Sequence, residues 1–355
     1  GSGTWRAANT RSGWRSTMES NSKPLLSIVL ISFNTDHDKL VGCFESIASY
    51  VSGYKEETEV IVIDDGSTDH FIRKAFEDIL SKKTNVEYVL EENGGAGKAR
   101  NNGLSHASGK YIIFVDSDDQ LEGSFSQIRE KLTNDEADLF MCPFENVNNA
   151  GKAIIAPGNI ESLYETLLPS KRPGKKDIYP YGTVWAKVFK RKFLVTAEIQ
   201  FDEGARISQD ILFMIDIAKK LPIFKILNVS FYKHILDTNS NTHKKSPKKV
   251  DYIIYFLNKL FIRNKEPYSY GSTWLAYSLL ALEMYAFNFN SRENYLKRIR
   301  EGYMTLKKIK RGTPKIKFNN RWSFKKKILF VIVKCGMLNF VALYVRLFKP
   351  NEKRI

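Results

Sequence analysis

Over the first 120 positions, short apolar runs alternate with stretches in which apolar residues recur at helical spacing. Pro24 to Ser32 is an apolar, β-branched run ending in polar residues, the pattern of a strand buried on both faces. Leu40 to Tyr50 follows with Leu40, Phe44, Ile47 and Ala48 on one helical face. A second strand is predicted at Glu59 to Ile63, a helix over roughly Asp69 to Lys82, and a strand at Val86 to Leu90. A helix over Gly97 to Ala107 comes next, and a fourth strand, Tyr111 to Val115, runs into Asp116-Ser117-Asp118-Asp119.

Strands alternating with helices predict an α/β domain whose mostly parallel sheet is flanked by helices. In such sheets ligands bind beyond the carboxyl ends of the strands. Ser32-Phe33-Asn34, Asp64-Asp65 and Asp116 to Asp119 all sit at such ends, so one site is expected there. After about Asn239 the texture changes to a charged, Pro-containing linker, Lys244 to Lys249. Helical patterns follow at Val250 to Arg263, Ser272 to Asn288 and Arg292 to Lys310. The expected division is an α/β catalytic domain over 23–240 and a basic helical region over 241–355. Residues 1–22 have no period and no apolar core, and are expected to be foreign to the native chain or disordered, with Met18 as a native start.

Charge changes the picture for the second half only. Of the formal +16 on 355 residues, Asn239 to Ile355 carries 26 Lys and Arg against 6 Asp and Glu, or +20, leaving about −4 for the rest. An anionic partner is therefore expected for the C-terminal region: nucleic acid, lipid headgroups or a polyanionic acceptor. Cys43, Cys142 and Cys335 share no ligand spacing, which argues against a disulfide scaffold and for a reducing compartment.

The strand-end clusters carry the candidate chemistry. Asp116 and Asp118 place two carboxylates on one turn, where both can face a divalent cation; a solvated acidic turn is the other reading. A carboxylate at Asp64-Asp65 can accept from the N–H of a nucleobase, while Ser67 or Asp69 can cap the helix after it. Glu92 to Asn101 is a Gly-rich loop opening a helix, where backbone N–H groups favour an anion and Lys98 or Arg100 adds charge; an ordinary loop with capping glycines is equally consistent. Gly95-Ala96-Gly97 has no third glycine in register, so no dinucleotide fingerprint is present.

These clusters, in this order, resemble glycosyltransferase family 2, the inverting enzymes with the GT-A nucleotide-sugar-binding fold. The likeness covers about Pro24 to Asn241 and is most specific at Ile28 to Asn34, Val62 to Asp69, Asn93 to Asn101 with Gly103, and Phe114 to Asp119. It implies that Asp65 contacts the uracil of a UDP-sugar, that Asn93 and Arg100 border the nucleotide, and that Asp118 binds Mn²⁺ or Mg²⁺. Asp116 and Ser117 then lie beside ribose and metal, with Asp116 a second candidate ligand. Ile31 and Phe33 stand where the family usually has Pro and Tyr, at the base-stacking edge. Gly182 to Arg191 resembles the family's Trp-x-Lys segment near the acceptor, although Trp185 and Phe189 also suit core packing. Asp210, where the family carries Glu-Asp, is implied as general base, with Gln209 in place of the Glu; an N-cap is the alternative. His234 falls where the family often has a basic residue over the diphosphate, and is a candidate metal ligand.

The resemblance implies transfer from a UDP-sugar to a polysaccharide, teichoic-type or lipid-linked acceptor. A bacterial cytoplasm fits the Lys-, Ile- and Asn-rich chain. Ile328 to Val345, flanked by Lys325-Lys326-Lys327 and Arg346, is too interrupted by Lys334 and Asn339 to span a membrane. It suits a helix lying on an anionic inner membrane face, or one buried among neighbours, with self-association also open. No reading helix, zinc module or stacking platform is visible, so nucleic acid is not the expected partner. Two other classes compete. A nucleotidyltransferase would carry its Gly-rich loop directly after the first strand, where Ser32 to Asp36 stands. A non-catalytic polyanion-binding protein on a degenerate core is disfavoured by the joint presence of Asp65, Asp118 and Asp210.

Overall fold

The computed structural model describes residues 23–81, 84–147, 153–155, 182–220, 223–235 and 248–263, with Met304, Ile328, Val331 and Cys335 as isolated helical positions. The predicted helices over 272–288 and 292–310, and the one over 328–345, otherwise lie outside the described residues. Among the described residues no helix is long and apolar enough to cross a membrane.

Four parallel strands form the centre: β1 (Leu26–Ser32), β2 (Thr58–Asp64), β3 (Val86–Leu90) and β4 (Tyr111–Asp116). Their side chains alternate between two apolar layers. Val29, Ile61, Ile63, Ile112 and Phe114 enter one core, and Ile28, Leu30, Val60, Val62, Ile113 and Val115 the other. Burial on both faces is why β1, β2 and β4 read as continuous apolar runs, whereas β3, at the sheet edge, is only partly buried. Helix α1 (His37–Tyr50) covers one face with Leu40, Phe44 and Ile47, its N-terminus capped by the Asp36 side chain. Helix α3 (Ala96–His106) packs on β1 and β2 from the other face.

The predicted 69–82 helix is broken into a short α2 (Phe71–Ala75) and a π-helical turn, Phe76–Leu80. Apolar spacing does not register such a change, because Ile72, Ala75, Phe76 and Leu80 stay in the core through it. The seven-stranded sheet runs β10-β6-β9-β4-β1-β2-β3, with β6 (Leu139–Met141), β9 (Lys187–Lys190) and β10 (Phe224–Ile226) beyond β4. Strand β9 is antiparallel to both neighbours, so the sheet is mostly parallel, as expected, but not wholly so. A second sheet, β5-β11-β7-β8, contains β5 (Gln120–Leu121), β7 (Glu145–Val147), β8 (Ala153–Ile155) and β11 (Tyr232–Ile235).

Helices α4 (Ser126–Asn134), α5 (Arg191–Thr196), α6 (Gln209–Lys219) and α7 (Lys248–Arg263) complete the described fold. Helix α7, expected to belong to the C-terminal region, buries Ile253, Phe256, Leu257 and Leu260 in the same core as Leu212 and Phe213 of α6. The order reverses between β1 and β4, and a ligand crevice is expected at that switch point.

Gly103 shows how tightly α3 lies on the sheet: a Cβ there would sit 2.3 Å from Val29 Cγ1. Gly103→Ala gains about 1 kcal/mol of helix propensity but overpacks a buried β-branched side chain that has nowhere to turn, at about 1–3 kcal/mol. The expected outcome is net destabilisation by about 1 kcal/mol in urea unfolding, part of it recovered by adding Val29→Ala.

Candidate functional site

The carboxyl ends of β1 and β2 are tied together by side chains. Asn34, in the left-handed region at φ 47°, accepts from the Thr68 N–H and hydroxyl, and its own N–H donates to Ser67 Oγ. The N-cap of the next helix is His70, with no side-chain capping bond, so neither Ser67 nor Asp69 caps it; Asp69, one residue earlier, accepts from Phe71 N at 3.1 Å. Ile31 is partly buried between its register partners Ile63 and Asp116, while Phe33 projects outward, 43 % exposed.

The adjacent aspartates divide their roles. Asp64 accepts from Ser67 N and from the Tyr88 hydroxyl and is a structural tie. Asp65 accepts from Gly94 N at 2.6 Å, Gly95 N at 2.9 Å and the Asn93 amide at 3.2 Å. The Gly-rich loop therefore does cradle an anion, as its sequence suggests, but that anion is the chain's own Asp65. Lys98 turns away to Glu92 O and Glu91. Asn93 remains exposed and also donates to Asp65 O.

Beneath this loop Arg100 is buried and donates through Nη2 to Asp116 Oδ1 at 2.6 Å, its guanidinium 5.6 Å from the Phe201 ring centre. Its Nε and Nη1 are buried with no hydrogen-bond partner. Buried guanidinium donors without acceptors are costly, so the arrangement suits an added acceptor there. Ser117 is buried, and its hydroxyl lies 2.5 Å from Thr35 Oγ1; Ser32 Oγ is 3.0 Å from the same oxygen. Its side chain thus locks the aspartate turn to the end of β1.

Asp118 is partly accessible, and burial followed by repulsion from Asp119 and Asp116 raises its pKa to about 6. Asp119, for which the sequence suggests no separate role, is buried and fixes β11: it accepts from the Tyr232 hydroxyl at 2.7 Å and Ile235 N at 2.8 Å, with His234 Nδ1 at 3.0 Å. Burial alone would lower the His234 pKa, but the hydrogen bond and charge of Asp119 outweigh it and the shift is upward. With the proton on Nδ1 facing Asp119, Nε2 keeps its lone pair, the arrangement by which a carboxylate orients a metal-ligating imidazole. Trp185 stacks on both His234 and Tyr232, at 4.8 and 5.3 Å between centres. Core packing therefore holds for Trp185, and for Phe189 against Phe114 and Phe213.

Asp210 lies in the first turn of α6, but the N-cap is Ser208, at φ 53°. The capping alternative for Asp210 is not realised. Burial raises its pKa, Arg100 and Lys187 oppose that, and Asp116 reinforces it. Asp210 and the Arg100–Asp116 pair thus act on one another through charge. Lys187 is buried, its Nζ 3.4 Å from Thr183 Oγ1, and burial lowers its pKa to about 7 against the pull of Asp210. Alternation along the strand does not mark it: Val188 and Phe189 are buried on opposite faces, so either face would take Lys187 inward.

Residues 27–194 match the sequence model of the family described as Glycosyl transferase family 2. Over that segment the chain is similar to the family. Among its curated relatives, the uncharacterized glycosyltransferase EpsJ of Bacillus subtilis is 25 % identical over 223 residues, covering 62 % of this chain and 63 % of EpsJ. The minor teichoic acid biosynthesis protein GgaA of the same organism is 31 % identical over 203 residues, covering 53 % of this chain and 42 % of GgaA. The chain thus spans less than two thirds of either. Among solved structures, S. aureus TarS 1–349 in complex with UDP superposes with a TM-score of 0.53 at 19 % identity, covering 93 % of each chain. The same protein in complex with UDP-GlcNAc gives 0.55 at 17 %. This likeness establishes the fold, a mostly parallel sheet flanked by helices of the GT-A type.

Proposed function

We propose that this protein transfers a sugar, with inversion, from a UDP-sugar to a hydroxyl of a polysaccharide, teichoic-type or lipid-linked acceptor, with Mn²⁺ or Mg²⁺ bound. The observation that carries the reading is the buried Arg100–Asp116 ion pair at the carboxyl end of β4, with two guanidinium donors left without an acceptor. The teichoic-acid relative and the UDP complexes of TarS support the substrate classes.

The residues fit a divalent cation. Among the described residues no group of three or more His, Cys, Asp or Glu side chains is arranged to hold a metal alone. Mg²⁺ and Mn²⁺ need only one or two protein ligands when substrate phosphates and water supply the rest. Asp118, whose ionisation its neighbours oppose, and His234 Nε2 would hold the ion, with Asp116 beside it. Bound there, it would neutralise a diphosphate leaving group.

The chain's own groups do the remainder. Asp65 keeps lone-pair capacity for the N3–H of uracil, Phe33 offers an aromatic surface at the base edge, and Arg100 has donors to give the nucleotide. Asp210 takes the proton of the acceptor hydroxyl as its oxygen bonds the anomeric carbon from the face opposite the nucleotide. The bond from that carbon to the phosphate oxygen breaks, and UDP departs with its electron pair. The basic C-terminal region suits a polyanionic acceptor or anionic headgroups. Calorimetric titration of UDP tests the donor half: affinity is expected to fall at least tenfold when EDTA replaces Mn²⁺, and no binding in either condition would overturn the reading.

A further inference from the structure

The loop Phe201 to Ser208 leads into α6 and the base, and it is held from two sides. From α3, the Asn101 side chain donates to Phe201 O and Glu203 Oε1 and accepts from Phe201 N, while Gly97 lies against Asp202 O. From α7, Tyr255 Oη donates to Asp202 Oδ1 at 2.7 Å and Arg263 Nη1 to Asp202 Oδ2 at 3.2 Å, with Lys259 Nζ at 3.6 Å. Arg263 Nε also reaches Asp216 in α6, and the bare Cα of Gly204 makes room for Tyr255.

The loop so fixed sends Arg206 back across the Gly-rich loop. A Cβ on Gly95 would lie 2.3 Å from Arg206 Nη1 and 3.2 Å from its Cζ, so the guanidinium rests directly on that glycine. Gly95 is itself left-handed, at φ 88°, and its N–H donates to Asp65 Oδ2. Arg206 is exposed, and among the described residues it makes no hydrogen bond or ion pair. A planar donor with no partner among the described residues therefore lies against the glycine whose N–H holds Asp65.

We propose that Arg206 sets nucleobase specificity: its guanidinium donates to O4 of uracil while Asp65 accepts the adjacent N3–H. This rests on the UDP-donor reading above. Cytosine presents an amino group in place of O4 and a bare N3 in place of N3–H, so it faces donor against donor and acceptor against acceptor. Mismatches of that kind at a site built for a hydrogen bond discriminate strongly. The same loop leads into the first turn of α6, which carries Asp210, so nucleobase recognition and placement of the general base share one segment anchored through Asp202.

Titrating UDP and CDP, each with Mn²⁺, into the intact chain and into Arg206→Met and Arg206→Lys tests it. UDP is expected to bind the wild-type protein more tightly than CDP. Arg206→Met is expected to lose about tenfold in UDP affinity with CDP nearly unchanged, and Arg206→Lys, which keeps charge without the fork, to lose several-fold. Equal losses for both nucleotides, or no loss in either variant, would overturn the role of Arg206 and leave the donor reading standing. Absence of UDP binding by the wild-type protein would overturn both. If Arg206→Met does not fold, Arg206→Lys alone decides between these outcomes.

Discussion

Asp210→Asn is expected to lower kcat for sugar transfer by about 10³-fold while leaving UDP affinity within about twofold. The carboxamide and carboxylate side chains have the same shape, so the packing of α6 persists; what is lost is the only group proposed to take the acceptor's proton. Steady-state rates with a competent acceptor, together with UDP titration, separate the two effects. Because burial raises the Asp210 pKa above 3.8, the rate is expected to fall on acidification at a higher pH than an ordinary carboxylate would give. That limb reflects loss of the ionised base, and it is expected to vanish from the residual activity of the Asn variant. Full transfer by Asp210→Asn would remove the base assignment.

Asp118→Asn is expected to abolish cation-dependent UDP binding and at the same time to stabilise the metal-free protein. Burial and the charges of Asp119 and Asp116 lift the Asp118 pKa from 3.8 to about 6 in the fold. The folded state then binds a proton more tightly than the unfolded state, so stability falls as pH rises through that window and the penalty is full above it. At about 1.4 kcal/mol per unit the penalty approaches 3 kcal/mol, and about 1–2 kcal/mol after allowance for its partial accessibility. Asn carries no charge, so the gain should be present at pH 7 and absent near pH 3. Thermal unfolding at both pH values checks it, with Mn²⁺ raising Tm in the wild-type protein but not in the variant. A less stable Asn variant at pH 7 would contradict the view that this turn stores charge repulsion for a cation.

Most of the donor side is legible in the sequence through the ends of its strands. Unbroken apolar runs mark β1, β2 and β4, and whatever polar residues follow them have to lie at the sheet edge. Hydrogen-bond partners are not legible, because they depend on residues far apart in the chain. That Asp65 takes the N–H groups of Gly94 and Gly95 cannot be read from two separate loops. Nor can the role of Asp119, whose neighbours Tyr232 and His234 come more than 110 positions later. Strand β9 escapes a periodicity argument because it is four residues long and begins with a charged residue, Lys187, whose inward direction only the sheet imposes. Arg206 gives no signal at all: an exposed arginine in a loop is ordinary until the glycine beneath it is known.

Whether these strand ends form one cation-assisted UDP-sugar transferase site is tested most directly by release of UDP from a panel of UDP-sugars, measured with Mn²⁺ or Mg²⁺ and again with EDTA. Turnover of at least one UDP-sugar that EDTA suppresses and restored cation recovers is the predicted result. Absence of both turnover and binding across the panel, or turnover indifferent to EDTA, would contradict it.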